Sequence, residues 1–165
     1  QSFKKRGEHL GFSIFDKVTE GFQRKVYGME NEDLGEMWGG SPSYGEMKQT
    51  LREARVFFYF GTVPAPYTLS LIEAMMTGIP VVAVGAGIRH LSPYDWPNYE
   101  IPEIITNGVN GYVSDNIDEL KGYVKNLLDD GELATRIGQA GRKTAIELFG
   151  KRQIQRQWAD FLRRL

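Results

Sequence analysis

Two apolar runs limit the folds open to this sequence. Arg55-Val56-Phe57-Phe58-Tyr59-Phe60 and Pro80-Val81-Val82-Ala83-Val84 are continuous rather than alternating, the pattern of parallel strands covered on both faces. Each is followed by glycine, Gly61 and Gly85. The residues between, 66–77, read as a helix closed by Gly78. Two parallel strands need a crossover of this kind, so the stretch is a βαβ unit.

The flanks extend the same alternation. Residues 8–21 read as a helix with Leu10, Ile14, Phe15 and Val18 near one face and Gly21 as its stop. Lys25-Val26-Tyr27 reads as a short strand ending at Gly28, followed by a Glu/Gly-rich loop over 28–42. Ser43 followed by Glu46 is a capping-box pattern for a helix at 44–53. Residues 85–100 read as a long loop, Ile101–Ile105 as a short turn, Gly108–Gly111 as a tight turn and Tyr112-Val113 as a last strand. Helices at about 116–129, 131–148 and 151–164 fill the rest. The expected class is α/β: a Rossmann-like parallel sheet flanked by helices.

Composition narrows the partners. At 165 residues the chain has room for one well-buried domain. Twenty lysines and arginines face 21 aspartates and glutamates, which argues against a broad nucleic-acid surface. No stretch approaches the roughly 20 apolar residues of a membrane span; peripheral association with a membrane stays open. Absence of cysteine excludes disulfides and thiol catalysis and fits a reducing, cytoplasmic setting. Two histidines and no paired acid motif speak against a metal site. The basic clusters at Lys4-Lys5-Arg6 and along 151–164, and the acidic Glu30, Glu32, Asp33 and Glu36, read first as solvated charge.

Ligands of open parallel sheets bind outside the carboxyl ends of the strands. Here those ends carry Gly28, Gly61-Thr62 and Gly85-Ala86-Gly87. The second runs directly into the 66–77 helix, with Pro64 and Pro66 near its start. Free N–H groups of Tyr67, Thr68 and Leu69 would there face an anion such as phosphate; a purely structural turn is the alternative. Glu73 is the odd residue of this helix, a carboxylate among apolar neighbours about 10 Å along the axis from the expected start. It suits a diol bound beside the phosphates, or is a solvent-facing glutamate.

The run from Tyr67 to Ala83, with Glu73-Ala74-Met75 and Gly78-Ile79-Pro80-Val81-Val82 inside it, resembles the donor-domain signature of the GT-B glycosyltransferases typified by glycogen and sucrose synthases. That signature has two glutamates separated by seven residues, then alanine-methionine and glycine-x-proline-valine-valine. The resemblance implies that Glu73 binds the ribose hydroxyls of a nucleotide sugar, that the Thr68 and Leu69 amides hold its distal phosphate, and that Thr62 stands where serine is usual. The first glutamate falls at Ala65, a departure in the residue that contacts the donor sugar. Arg6-Gly7 resembles the family's basic-glycine pair beside the diphosphate, which makes Arg6, with Lys5, the implied catalytic cations. Gly85-Ala86-Gly87-Ile88 resembles the glycine-rich turn near the nucleotide, and Glu103 through Val113 the turn and strand after it. Residues 89–101 look like an insertion; its His90 reads as a surface residue rather than a base. Leu127 through Asp130 and Phe149 through Trp158 resemble the family's closing helices, of which the last crosses back toward the other domain; that crossing, or ordinary core packing, would account for Trp158 and Phe161.

The resemblance implies a single donor-binding domain over 1–165, with the acceptor-binding N-terminal domain absent and the isolated chain inactive. It implies retaining, hexosyltransferase-type transfer from a nucleoside diphosphate sugar, with no other cofactor and no metal. A noncatalytic nucleotide-sugar-binding module, to which Ala65 points, and a structural domain docking through Tyr94, Trp96 and Tyr99 are the alternatives.

Overall fold

The computed structural model describes residues 3–4, 11–61, 67–89 and 99–164. In chain order the elements are α1 (Phe12–Thr19), a 3-10 turn (Glu32–Met37), α2 (Tyr44–Glu53), β1 (Phe57–Tyr59), α3 (Leu69–Thr77), β2 (Val81–Val84), α4 (Ala86–Arg89), α5 (Ile101–Ile104), β3 (Tyr112–Ser114), α6 (Ile117–Asp129), α7 (Gly131–Phe149) and α8 (Lys151–Leu162). The three strands form one parallel sheet in the order β1-β2-β3. Phe57 pairs with Val81, and Val82 with Tyr112.

Strand side chains alternate between faces, and this divides the core in two. Tyr59, Val81 and Ala83 point to one side, against Leu51, Leu71, Ala74, Met75, Ile101 and Ile104. Phe60, Val82 and Val84 point to the other, against Ile14, Val18, Leu120, Val124 and Leu127. The continuous apolar runs are thus explained: both faces are covered. Burial of a side chain such as Leu71, Met75 or Val82, each essentially inaccessible, is worth about 1.5–3 kcal/mol. Helix α7 closes both layers, giving Ala145 to the first and Ala134 and Ile137 to the second.

Local signals account for most boundaries. Ser43 accepts from the Glu46 N–H while the Glu46 carboxylate accepts from the Ser43 N–H at 2.7 Å, so the capping box forms. Gly78 ends α3 in the left-handed conformation (φ 85°) that favours glycine. Asn116 and Asp130 cap α6 and α7 with their side chains.

Three expectations are corrected. Lys25-Val26-Tyr27 is not a strand: only Val26 is bridged, to Trp38, and positive-φ glycines at Gly28 and Gly40 turn the chain away on either side. Helix α3 begins at Leu69 rather than 66, because Thr68 is extended (φ −121°, ψ 162°) and serves as the N-cap. The span 85–100 is not all loop: Ala86–Arg89 makes one helical turn, held by an acid described below. The short turn expected at Ile101–Ile105 is present as the helical turn Ile101–Ile104, with a proline in its first turn. The first helix is described from Phe12, after Gly11; residues 8–10 lie outside the described residues.

Candidate functional site

The carboxyl end of the sheet is built from four pieces. Gly61 (φ 91°) follows β1, Gly85 follows β2 and Asp115 follows β3. The fourth is the start of α1: a Cβ on Gly11, its N-cap, would sit 2.1 Å from the Phe60 ring, so α1 enters directly over the end of β1. Adjacent strands lie about 4.8 Å apart, which brings these ends within reach of one small ligand.

Helix α3 presents an open N-terminus here. Thr68 makes no side-chain cap; its hydroxyl instead pairs with that of Ser70 at 2.6 Å. The Thr68 carbonyl takes the N–H groups of Leu71 (3.1 Å) and Ile72 (3.5 Å). The Leu69 and Ser70 N–H groups have no acceptor among the described residues. An uncapped end with two outward N–H groups and the positive pole of the helix dipole attracts anions.

Glu73 lies one turn further along the same face as Leu69. Leu69 is 75 % exposed and Glu73 is half-buried, with no hydrogen bond or ion pair among the described residues. The buried side of α3 is carried by Leu71, Ala74 and Met75, so the carboxylate stands apart from the core. With Thr68 as N-cap, Glu73 lies about 7.5 Å from the helix start, closer than the sequence implied.

Tyr67 also packs. Its ring packs on Phe149 (centroids 5.2 Å apart) at the margin of the first core layer, and its N–H precedes the N-cap. The N–H groups of Tyr67 and Thr68, like those of Leu69 and Ser70, have no acceptor among the described residues, and the Tyr67 ring anchors the approach to the helix by packing.

Gly85 and Gly87 surround a residue that the sequence did not single out. The Asp115 carboxylate accepts from the Ile88 N–H at 2.9 Å. A Cβ at Gly85 or Gly87 would lie 2.5 or 2.9 Å from its atoms. The close approach these glycines permit is thus to Asp115. The signal was indirect: two glycines in one turn ask what lies against them, and the answer comes from a loop 27 residues later. Tyr99 closes the same edge by donating its hydroxyl to the last carbonyl of β2, Val84, at 2.8 Å. It is half-buried against both core layers, which removes it from the aromatic docking patch expected with Tyr94 and Trp96. Those two, together with Lys5, Arg6, Thr62, Ala65 and His90, lie outside the described residues. Among the described residues no group of three or more His, Asp or Glu side chains could hold a metal, and no helix is long and apolar enough to cross a membrane.

No protein-family model matches the chain. Among curated proteins it is similar to the alpha-maltose-1-phosphate synthase of Mycobacterium tuberculosis, 30% identical over 129 residues, or 73% of this chain and 30% of that protein. Among solved structures it is similar to the sucrose-phosphate synthase of Thermosynechococcus elongatus, with TM-score 0.71 and 18% identity over 96% of this chain and 42% of that one. Anabaena HepE in complex with UDP-glucose gives TM-score 0.69 and 20% identity over 96% of this chain and 46% of that one. The chain therefore spans less than half the length of the proteins it matches. With the Glu73-to-Val82 signature, the parallel α/β fold and these likenesses together, the chain has the fold of the GT-B glycosyltransferases and is similar to them in sequence.

Proposed function

We propose that this chain is the donor-binding part of a glycosyltransferase that moves a sugar from a nucleoside diphosphate sugar to an acceptor, with retention of anomeric configuration. One observation carries the reading: an uncapped helix N-terminus with Glu73 one turn deeper on its open face. The diphosphate sits on the Leu69 and Ser70 N–H groups, where the helix dipole favours negative charge. The ribose diol donates to the Glu73 carboxylate, a charge-assisted pairing. Support comes from the HepE structure, whose bound molecule is UDP-glucose.

The bond from the anomeric carbon to the diphosphate oxygen breaks, and the acceptor oxygen bonds to that carbon from the same face while its proton passes to the departing diphosphate oxygen. Negative charge grows on the departing diphosphate, and the helix N-terminus, with Arg6 and Lys5, stabilises it electrostatically. The acceptor and the groups that activate it belong to another part of the protein, so the chain alone binds donor without transferring sugar.

Calorimetric titration with UDP, GDP and ADP tests the reading. One diphosphate binds, and Glu73→Ala weakens it about 10- to 100-fold, the worth of one or two hydrogen bonds to a charged group. Equal affinity in the variant removes Glu73 from the site. Ala65 supports a second reading, a module that binds nucleotide sugar without transferring it, because the implied sugar-contacting glutamate is replaced. A whole protein that binds the donor but neither transfers nor hydrolyses it would establish that alternative.

A further inference from the structure

Helix α7 runs along α3 in the opposite direction and meets it at both ends. At the far end of α3, a Cβ on Gly138 would stand 1.9 Å from the carbonyl oxygen of Gly78, the C-cap. Midway, a Cβ on Gly141 would stand 3.9 Å from the Met75 side chain, and Ala145, one turn on, is fully buried in the same core layer. At the near end the ring of Phe149, the last residue of α7, meets the Tyr67 ring with centroids 5.2 Å apart. The contacts climb α7 as they descend α3, so α7 lies along α3 as a splint.

The near contact matters because the start of α3 lacks a cap. Thr68 gives the helix no side-chain hydrogen bond, and a helix end without one is less firmly held. Tyr67 stands just before the N-cap, where an apolar side chain commonly packs to set the angle at which the chain enters a helix. Its ring contact is with Phe149, on another helix. Phe149 is itself fixed. Both rings are half-buried against the first core layer, and the chain leaves α7 at once through Gly150, whose Cβ would meet the Ile146 carbonyl oxygen at 2.3 Å. The entry to α3 is thus set from outside its own stretch of sequence.

We infer that Phe149 is a positioning residue of the donor site: through the Tyr67 ring it fixes the direction of the N–H groups at the start of α3, and with them the place of the diphosphate. The inference rests on the donor reading above and adds to it a residue that touches no ligand. A backbone donor must meet a phosphate oxygen at about 2.9 Å and nearly in line. A tilt of the helix start that leaves the fold intact therefore still lowers affinity.

The test is a double-mutant cycle read as affinity for the nucleoside diphosphate that the chain binds. Phe149→Ala and Tyr67→Ala are each expected to weaken binding at least about fivefold, and the double variant no further than either alone. Phe149→Tyr, which keeps a ring for Tyr67 to pack on, binds as wild type does. Ile137→Val loosens α7 on the opposite core layer and leaves affinity unchanged, which separates positioning from a general loss of stability. Should Phe149→Ala fail to fold, Phe149→Leu is read in its place, with a smaller loss in the same direction. Amide exchange gives an arm without ligand: the Leu71 and Ile72 N–H groups, bonded to the Thr68 carbonyl, exchange faster in Phe149→Ala while the last turn of α3 is unchanged. Affinity indifferent to Phe149→Ala, or losses that add in the double variant, overturn the inference and leave the donor reading standing. Absence of diphosphate binding by the wild-type chain overturns the donor reading, and the assignment of Phe149 to that site with it, whatever the exchange shows.

Discussion

Asp115 accepts a hydrogen bond from the Ile88 N–H at 2.9 Å and so fills, with its own carboxylate, the turn that Gly85 and Gly87 open at the end of β2. A ring of backbone N–H groups in a glycine turn attracts anions. Here an internal acid occupies that position, while the end of α3 one strand away keeps free N–H groups. Among the described residues, the start of α3 is therefore the open anion site at this edge.

The contact predicts a coupling. A methyl group at Gly87 would stand 2.9 Å from the Asp115 carboxylate. That carboxylate is the end of an exposed side chain and swings away, losing its hydrogen bond. Gly87→Ala is expected to cost about 1 kcal/mol, the net worth of such a bond. In an Asp115→Ala background the same change is close to neutral. Urea unfolding of the double-mutant cycle measures the difference; equal costs in both backgrounds would show that the glycine serves something else.

Two helical glycines predict opposite signs. A Cβ at Gly138 would lie 1.9 Å from the Gly78 carbonyl oxygen, where α7 presses its backbone on the α3–β2 turn. Backbone cannot rotate aside, so Gly138→Ala is expected to cost about 3 kcal/mol or more, at the upper end for overpacking. Gly122 in α6 has nothing within 4 Å of its Cβ position. There alanine stabilises by about 0.5–1 kcal/mol, through helix propensity and a less free unfolded chain. Thermal melts of the two variants should move in opposite directions.

Acid should loosen the start of α2. The Ser43 side chain, and then its backbone N–H, hold the Glu46 carboxyl below its usual 4.5. A carboxylate with a depressed folded-state pKa stabilises above its unfolded value and loses that contribution as pH falls through the folded one. Wild type should therefore exceed Glu46→Gln in stability at neutral pH, with the gap closing below about pH 4.5. A gap that persists unchanged at pH 3 would exclude the capping carboxylate as its source.

What could be read from the sequence was local or periodic. Ser43 with Glu46, Gly78, and the continuous runs at β1 and β2 each state their structure within a few residues, and each appears as expected. The strand at Lys25–Tyr27 failed because pairing depends on a partner: Val26 finds only Trp38. Helix α3 started late because the extended backbone of Thr68 caps it, and that conformation is not visible in the residue type. Asp115 was invisible for the same reason on a longer scale, since its role exists only where two loops 27 residues apart meet. Glu73 was legible as a carboxylate in apolar company, but that its face is open required the fold.

Leu69 offers the sharpest probe of the donor reading. It is the first residue of α3 after the N-cap and its side chain is 75 % exposed. Proline is tolerated at that position because its missing N–H has no helical partner, and the extended Thr68 before it is the conformation that proline prefers in its neighbour. Leu69→Pro should therefore change stability by no more than about 0.5 kcal/mol while deleting one of the free amides at the helix start. A bond from a backbone amide to charged phosphate is worth about 1.5–3 kcal/mol, so nucleoside diphosphate affinity should fall about tenfold or more. Leu69→Ala, which keeps the N–H, controls for the lost side chain and should bind normally. If Leu69→Pro binds as wild type does while remaining folded, the diphosphate does not sit on this helix, and the assignment of Glu73 to the ribose fails with it.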